Sequence, residues 1–135
     1  MVEVVNRQRT SKLPSRDWVA LTTKILELLG SPDASVTIAF VSDRKIRELN
    51  RMFRGFDKST DVLSFPSGED AENLGDIAIA IDTAKVQAKR NRLTVERELA
   101  QLILHGVLHL SGYDHETDDG EMNRLELKLR RRLRI

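Results

Sequence analysis

The sequence predicts one small α+β domain over residues 1–135, with a mixed sheet of about four strands packed with about five helices. Short β-branched segments alternate with longer segments whose apolar residues recur every three or four positions. The length of 135 residues, with 40% apolar and 32% charged residues, suits one compact core. No internal repeat, low-complexity tract or linker divides the sequence.

The first elements are a strand, a helix and a second strand. Residues 2–5 form a short β-branched run, which is typical of a strand. Ser15 is a candidate N-cap for a helix with apolar residues at helical spacing, and Gly30 marks its end. Residues 36–41 are β-branched, brief and bounded by turn residues, so they predict the second strand.

A second helix and two further strands follow. Ser42 is the predicted N-cap of this helix, because apolar residues at helical spacing come after it. Residues 62–65 predict the third strand, which Pro66 stops since proline has no N–H for a sheet. After a polar loop at residues 67–73, residues 75–81 alternate small and large apolar side chains, as expected for a strand with covered faces.

Three helices complete the chain. Residues 83–92 predict the third helix. Thr94 is the N-cap of a long central helix with a wide apolar face, and Gly112 supplies the left-handed residue after its end. The last helix begins at about Asp119 and turns an apolar stripe inward. These patterns leave the order of the strands open.

Composition excludes several classes of protein. The 22 Lys and Arg residues against 21 Asp and Glu give a net charge of +1, so bulk charge does not indicate a nucleic-acid partner. The absence of cysteine excludes disulfides, Cys-ligated metals and a thiol nucleophile, and it fits a reducing cytosol. No segment resembles a signal peptide or the run of about 18 apolar residues that spans a membrane. We therefore expect a cytoplasmic protein with no membrane partner.

All three histidines lie in one short segment. His105 and His109 are four residues apart, which places them on one helix face with Cβ atoms about 6 Å apart. Gly112 lets the chain turn back, so that His115 can return as a third ligand. Three histidines at this spacing predict a metal site at the end of the central helix.

The donor set indicates the metal and its role. Three neutral nitrogen ligands without cysteine suit zinc best, although imidazole also accepts nickel, copper or iron. Three protein ligands leave one position for water, as in a catalytic zinc site. Such a site lowers the pKa of the bound water to about 7, which serves the hydrolysis of amides and of phosphodiesters equally.

The histidine spacing is also that of the metzincin protease signature. Gly106 stands where that signature has its general-base glutamate, and glycine cannot accept a proton. A zinc peptidase is therefore disfavoured, unless Asp114, Glu116 or another acid supplies the base. These two carboxylates can equally be partners that orient a histidine.

Three blocks closely resemble the YbeY family of endoribonucleases, also called ribosomal RNA maturation factors. Its signature is similar to HGVLHLSGYDH at residues 105–115. A second block resembles FRG at residues 53–55 with STDVLSFP at residues 59–66, and a third resembles LGDI at residues 74–77. The blocks occur in the expected order, and Ser59 stands where many family sequences have proline.

The resemblance implies one Zn²⁺ per chain, held by His105, His109 and His115. It implies a single-strand-specific endoribonuclease in 16S ribosomal RNA 3′-end maturation and ribosome quality control. Its implied partners are RNA of the small ribosomal subunit and ribosomal or assembly proteins. It also implies that Arg54 lies across a cleft from the metal, and Arg54 and His105 are the candidate catalytic residues. A guanidinium binds phosphate oxygens bidentately and can offset charge that develops during phosphodiester cleavage.

Three polar residues of the resembling blocks have two interpretations each. Thr60 and Ser64 are polar positions of a strand, or they are hydroxyls of an edge strand that grip an extended RNA or peptide chain beside the metal. The first interpretation is favoured, and both remain candidate substrate-binding residues. Asp76 is interpreted as a turn or capping residue rather than a catalyst.

Positive charge is local, in residues 85–97 and residues 124–134. The helix dipole favours cations at the C-terminal end of a helix. These segments hold more basic residues than a helix end requires, which suggests that they bind RNA phosphates. Two alternatives remain beside the endoribonuclease. One is a zinc metallopeptidase-like hydrolase, and the other is a non-enzymatic ribosome-assembly factor in which zinc is structural.

Overall fold

A computed structural model describes residues 1–68 and 72–135. It confirms the predicted α+β fold with a mixed four-stranded sheet and five helices in these residues. None of the described helices is long and apolar enough to cross a membrane. The elements are β1 (Val2–Asn6), α1 (Trp18–Leu28), β2 (Ser35–Val41), α2 (Asp43–Arg54), β3 (Val62–Pro66), β4 (Asn73–Ala80), α3 (Ile81–Asn91), α4 (Val95–Leu110) and α5 (Glu121–Leu133).

The strands lie in the order β1-β2-β4-β3. β1 pairs with β2 and β2 pairs with β4 in parallel, whereas β3 is antiparallel to β4. Ile77 of β4 lies opposite Ile38 of β2 on one side and Ser64 of β3 on the other. β3 is therefore an edge strand, and its outer side is free of any further strand of this sheet.

The main core lies between one sheet face and α4. Helix α4 contacts α1, α3 and α5 as well as β3 and β4, so it is the central helix that the sequence predicts. Ile38, Phe40, Ile77 and Ile79 are fully or almost fully buried beneath it, and the Trp18 ring meets the Phe40 ring edge-on at 5.8 Å. Each such side chain contributes about 1.5–3 kcal/mol by burial, which anchors α4 against the sheet.

A smaller apolar cluster joins α2 to the other sheet face. Ile46 of α2 is fully buried against strand residues that include Leu63. At the end of α2, the Phe53 and Phe65 rings meet edge-to-face with centroids 5.2 Å apart. This contact ties the last turn of α2, where Arg54 lies, to the edge strand β3.

Two of the three named N-caps are as predicted. Ser42 and Thr94 accept the backbone N–H groups of Lys45 and Arg97, each at 3.1 Å. The Ser15 prediction is wrong, because Asp17 caps α1 and accepts the N–H of Ala20 at 2.9 Å. Both residues are good N-caps, so the sequence pattern does not separate them.

The junction of β4 and α3 differs from the prediction. Ile81 begins α3 directly after Ala80, which has no side chain that caps a helix, so the start is invisible in the sequence. Asp76 lies inside β4, opposite Thr37 and Phe65, and not in a turn or at a helix cap. The loop predicted at residues 67–73 lies partly outside the described residues, and its last residue begins β4.

Candidate functional site

The three histidines come together at the end of α4. His105 and His109 lie one turn apart, and their Nε2 atoms are 3.1 Å from each other. Gly112 has a φ of 98°, and the chain reverses there so that His115 faces the other two rings. One ring nitrogen from each histidine lies within 4.8 Å of the others. Among the described residues, this is the one such group of potential metal ligands.

A carboxylate from α5 orients His105. Nδ1 of His105 lies 3.2 Å from Oε1 of Glu126, and Glu126 is only 7% exposed. A carboxylate at Nδ1 stabilises the tautomer with the proton on Nδ1, which leaves the Nε2 lone pair free toward the other histidines. Burial alone would raise the pKa of Glu126, but the hydrogen bond and charge of His105, together with Arg130, outweigh it and lower that pKa.

The environment of His109 favours its neutral form. Burial lowers the pKa of His109, and the neighbouring charges of His105 and His115 lower it further, against a smaller opposing effect of Asp114. Imidazole must be neutral to bind a metal. Three imidazoles, of which His105 has a preset tautomer, and no thiolate therefore fit a zinc ion by the chemistry of their donors.

The histidines line one wall of a cleft of about 400 Å³. Ser64 of β3 lines it as well, and its Oγ donates to the carbonyl of Gly106 at 3.4 Å. Arg54 lies at the C-terminal end of α2, lines the same cleft and stacks its guanidinium on the Phe56 ring at 5.3 Å. Three potential metal ligands and the guanidinium of Arg54 thus share one opening.

Comparison with known proteins was made on the sequence and on the fold. The sequence model of the family described as "Endoribonuclease YbeY" matches residues 3–134. The chain belongs to the YbeY endoribonuclease family. A YbeY endoribonuclease of Anaeromyxobacter sp. is 48% identical over 111 residues, which are 78% of this chain and 58% of that protein. The chain therefore spans little more than half the length of that relative.

Two further proteins match over more of their length. The Sulfurihydrogenibium sp. protein named endoribonuclease YbeY is 40% identical over 121 residues, which cover 86% of this chain and 80% of that protein. The solution structure of TM1509 from Thermotoga maritima superposes with a TM-score of 0.68 at 34% identity. That match covers 98% of this chain and 89% of the other, so the fold is shared over nearly its whole length.

The residues predicted from the YbeY signature blocks fall into two groups. Arg54, Ser64 and the three histidines line the cleft. Thr60 is not among the described residues that line it, and its hydroxyl donates to Asp61 Oδ1 at 3.3 Å.

The carboxylate at His105 is not one of the two that the sequence suggests. Asp114 and Glu116 line the cleft, and Asp114 Oδ1 accepts the Glu116 N–H at 2.9 Å. The contact with His105 comes from Glu126, which the YbeY signature segment does not include. One signal for Glu126 exists, because an acid between Met122 and Leu129 interrupts the buried stripe of α5.

Gly106 has no room for a side chain. A Cβ there would lie 2.9–3.2 Å from three side-chain carbons of Ile77, which is 1% exposed. The glutamate that serves as general base in metzincins cannot replace Gly106 unless the Ile77 side chain moves. This packing disfavours the peptidase alternative and agrees with membership of the YbeY family.

Proposed function

We propose that this protein is a zinc-dependent, single-strand-specific endoribonuclease. Its proposed substrate is RNA of the small ribosomal subunit, which it cleaves in the cytoplasm during 16S ribosomal RNA 3′-end maturation and ribosome quality control. Ribosomal or assembly proteins are its proposed partners. Residues 1–135 form one functional domain in this proposal.

One observation carries the proposal: Arg54 and the three histidines line the same cleft. A guanidinium binds two oxygens of a phosphodiester at once and stabilises charge on them, and a phosphodiester is already an anion before it reacts, whereas an amide is neutral. The Phe56 ring beneath the guanidinium and the Phe53–Phe65 contact hold the end of α2 at the cleft. Arg54 is thus the residue that selects a phosphodiester over an amide.

His105, His109 and His115 are the proposed zinc ligands. When bound, zinc supplies Lewis acidity toward a phosphate oxygen and makes hydroxide available near neutral pH. Glu126 keeps the proton of His105 on Nδ1, so the opposite nitrogen is available as a ligand. In this proposal, His105 contributes to catalysis by holding the zinc ion, and Arg54 contributes by binding the phosphate.

The RNA chain is proposed to run along the edge strand β3. Ser64 and Thr60 are the two proposed hydroxyl contacts to the RNA. Ser64 lies on this strand and lines the cleft, whereas Thr60 precedes the strand. Further basic side chains lie on α3 and α5, where they can bind phosphates of a longer RNA. The exposed members are Lys89, Arg90, Arg124, Lys128, Arg131 and Arg132.

Cleavage of defined RNAs by the purified protein tests the proposal. We expect a single-stranded RNA to be cut and a duplex of the same sequence to be spared. Arg54→Ala should lower the cleavage rate about 10²–10³-fold, as loss of a donor to a developing charge does elsewhere, and His109→Ala should abolish cleavage. Arg51→Ala is the matched control, because Arg51 is exposed one turn earlier on the same helix and lies outside the cleft.

Equal rates for Arg54→Ala, His109→Ala and the wild type would refute the proposal. The chemical ends of the cleavage products distinguish two possible nucleophiles. A 2′,3′-cyclic phosphate requires attack by the RNA's own 2′-hydroxyl, and a free 3′-hydroxyl requires attack by water. The ribosomal role is tested in cells that lack the protein, where the 3′ end of small-subunit RNA should remain unprocessed. The wild-type gene should restore it, and the Arg54→Ala gene should not.

A further inference from the structure

A second cavity of about 530 Å³ adjoins the cleft. Asp61, Val62 and His105 line both spaces, so the second cavity opens beside the position where the cleft would hold a phosphate. Residues of α3, α4 and α5 enclose the rest. Its volume lies within the range of small-molecule sites.

The charge of this cavity excludes a phosphate. Its lining carries three carboxylates, those of Asp61, Glu98 and Glu126, against the single guanidinium of Arg130. These carboxylates are not a second metal site, since the histidine group alone has sufficiently close ligand atoms in the described part of the chain. The cavity therefore suits a neutral group that is rich in N–H donors.

The carboxylates are held in place by side-chain amides. Glu98 is 4% exposed, and its two oxygens accept from Asn91 Nδ2 at 3.0 and 3.3 Å. Gln87, in the orientation that satisfies both ends of its amide, donates to Asp61 Oδ2 at 3.0 Å and to Glu98 Oε1 at 3.3 Å. A carboxylate offers about four acceptor positions, so fixed acceptors remain for a ligand.

Two further groups in the lining are unused. Nε of Arg130 is buried and has no hydrogen-bond partner in the described residues. Gln101 lines the cavity, and its side-chain amide makes no hydrogen bond within residues 1–68 and 72–135. The apolar walls formed by Leu93 and Leu102 can cover the faces of a flat ring. A ligand that matches this lining thus has several N–H donors, at least one acceptor and an aromatic ring.

We propose that this cavity binds one unpaired RNA base with an exocyclic amino group, guanine best of all, next to the phosphate in the cleft. This inference rests on the proposed function. Guanine presents ring N1–H and an amino group to the carboxylates, and its O6 accepts from Arg130 or Gln101. Uracil has two carbonyls and a single N–H, so its carbonyls face carboxylates. A matched set of contacts discriminates between bases about tenfold or more.

Binding of mononucleotides to the zinc-loaded full chain tests this inference without any cleavage. Guanosine and uridine 5′-monophosphates carry the same phosphate and differ in the base, so their dissociation constants isolate the contribution of the base. In NMR titrations, we expect guanosine monophosphate to shift the amide signals of Leu93, Gln101 and Leu102. Uridine monophosphate should bind at least tenfold more weakly.

Two variants with a matched control connect this preference to the cavity. Gln101→Leu removes an amide that has no partner to lose, and Arg130→Lys keeps the charge beside Glu126 but removes the Nε donor. Each should reduce the ratio of the two affinities several-fold. Arg44→Lys is the control, because Arg44 of α2 is exposed and lines neither this cavity nor the cleft. Thermal melting of each variant establishes that it is folded.

Equal affinity for the two nucleotides, or shifts confined to the histidine segment, would overturn the inference. The cleavage assay is independent of this result. A protein that prefers guanosine monophosphate but cuts no RNA retains the base site and refutes the nuclease. A protein that cuts RNA but binds both nucleotides equally retains the nuclease and refutes the base site.

Discussion

Glu126 reaches across from α5 to hold His105 of α4, with Oε1 of the carboxylate 3.2 Å from Nδ1 of the ring. The two residues are 21 positions apart, and the carboxylate is also in contact with Nη2 of Arg130 at 3.3 Å. Packing of α5 against α4 therefore determines which nitrogen of His105 points at the other histidines. Tertiary structure far from the histidine segment prepares the proposed metal site.

Glu126→Gln should weaken zinc binding about 10–100-fold, because the amide cannot replace the charge that favours a proton on Nδ1. Competition with a chromophoric zinc chelator measures the affinity. Glu48→Gln is the control, since Glu48 lies exposed on α2 and is far from the histidines in the sequence. Unchanged affinity in Glu126→Gln would mean that Glu126 does not orient His105.

Gly106→Ala should destabilise the fold by up to about 2 kcal/mol. Alanine is favoured over glycine in a helix by about 1 kcal/mol, but the new methyl group would lie 2.9–3.2 Å from side-chain carbons of buried Ile77. Overpacking of this kind costs about 1–3 kcal/mol and exceeds the gain. Urea denaturation followed by circular dichroism gives the free energy of unfolding.

A double-mutant cycle identifies the source of that loss. Ile77→Val removes one methyl group from the crowded contact, so Gly106→Ala should cost less in that background than in the wild type. Purely additive effects of the two substitutions would show that the clash with Ile77 is not the cause.

Local features of the sequence predicted most of the fold. β-Branched runs, one alternating segment and period-3.6 patterns located every strand and helix that the structure describes, and Ser42 and Thr94 marked the starts of the helices that they cap. The histidine spacing predicted which side chains meet, since His105 and His109 share one helix and Gly112 reverses the chain directly after it. In each case the interacting groups are near neighbours in the sequence.

Features that depend on distant pairing were not predictable in this way. The strand order places β4 between β2 and β3, which depends on how helices cover the sheet rather than on any one strand. The Glu126–His105 contact needs the angle between α4 and α5. Asp76 resembles a turn residue beside Gly75, yet pairing on both sides keeps it within β4.

Asp118 should give the start of α5 a pH-dependent contribution to stability. The N–H of Met122 has the largest effect in lowering the pKa of Asp118, with further lowering by the N–H of Gly120 and the charge of Arg124, while burial acts in the opposite direction. A carboxylate with a lowered pKa in the folded state stabilises the protein above its unfolded pKa, and this contribution disappears as the pH falls through the folded value.

Asp118→Ala should therefore lower the melting temperature at neutral pH, and its difference from the wild type should shrink in acid. Thermal melts across the acidic range measure both curves. Asp33→Ala, which changes an exposed aspartate whose side chain makes no hydrogen bond within the described residues, should run parallel to the wild type throughout. A constant difference for Asp118→Ala at all pH values would contradict the role of its charge.

Phe56→Leu should reduce RNA cleavage about two- to five-fold. The ring is 48% exposed and lies beneath the Arg54 guanidinium at 5.3 Å and the Lys58 ammonium at 5.5 Å. An exposed cation–π contact is worth about 0.5–1 kcal/mol, which corresponds to this range. Phe56→Tyr keeps the aromatic face and should retain the wild-type rate, so a loss in both variants would point to a different role for the ring.

Removal of zinc should lower the melting temperature and leave the fold intact. The histidines lie at the end of α4 and in the loop after it, whereas the apolar residues that anchor α4 face the sheet. With free zinc at about 100 times its dissociation constant, binding contributes about 2.7 kcal/mol, or a shift of about 10 °C for a chain of this size. Chelation should thus lower the melting temperature while the helical circular dichroism signal persists at room temperature, and added zinc should restore the melting temperature.

His115→Ala should bind zinc weakly and show little response to chelation. Loss of helical signal on chelation would indicate a structural zinc and favour the assembly-factor alternative, and a melt that does not respond would exclude a bound metal.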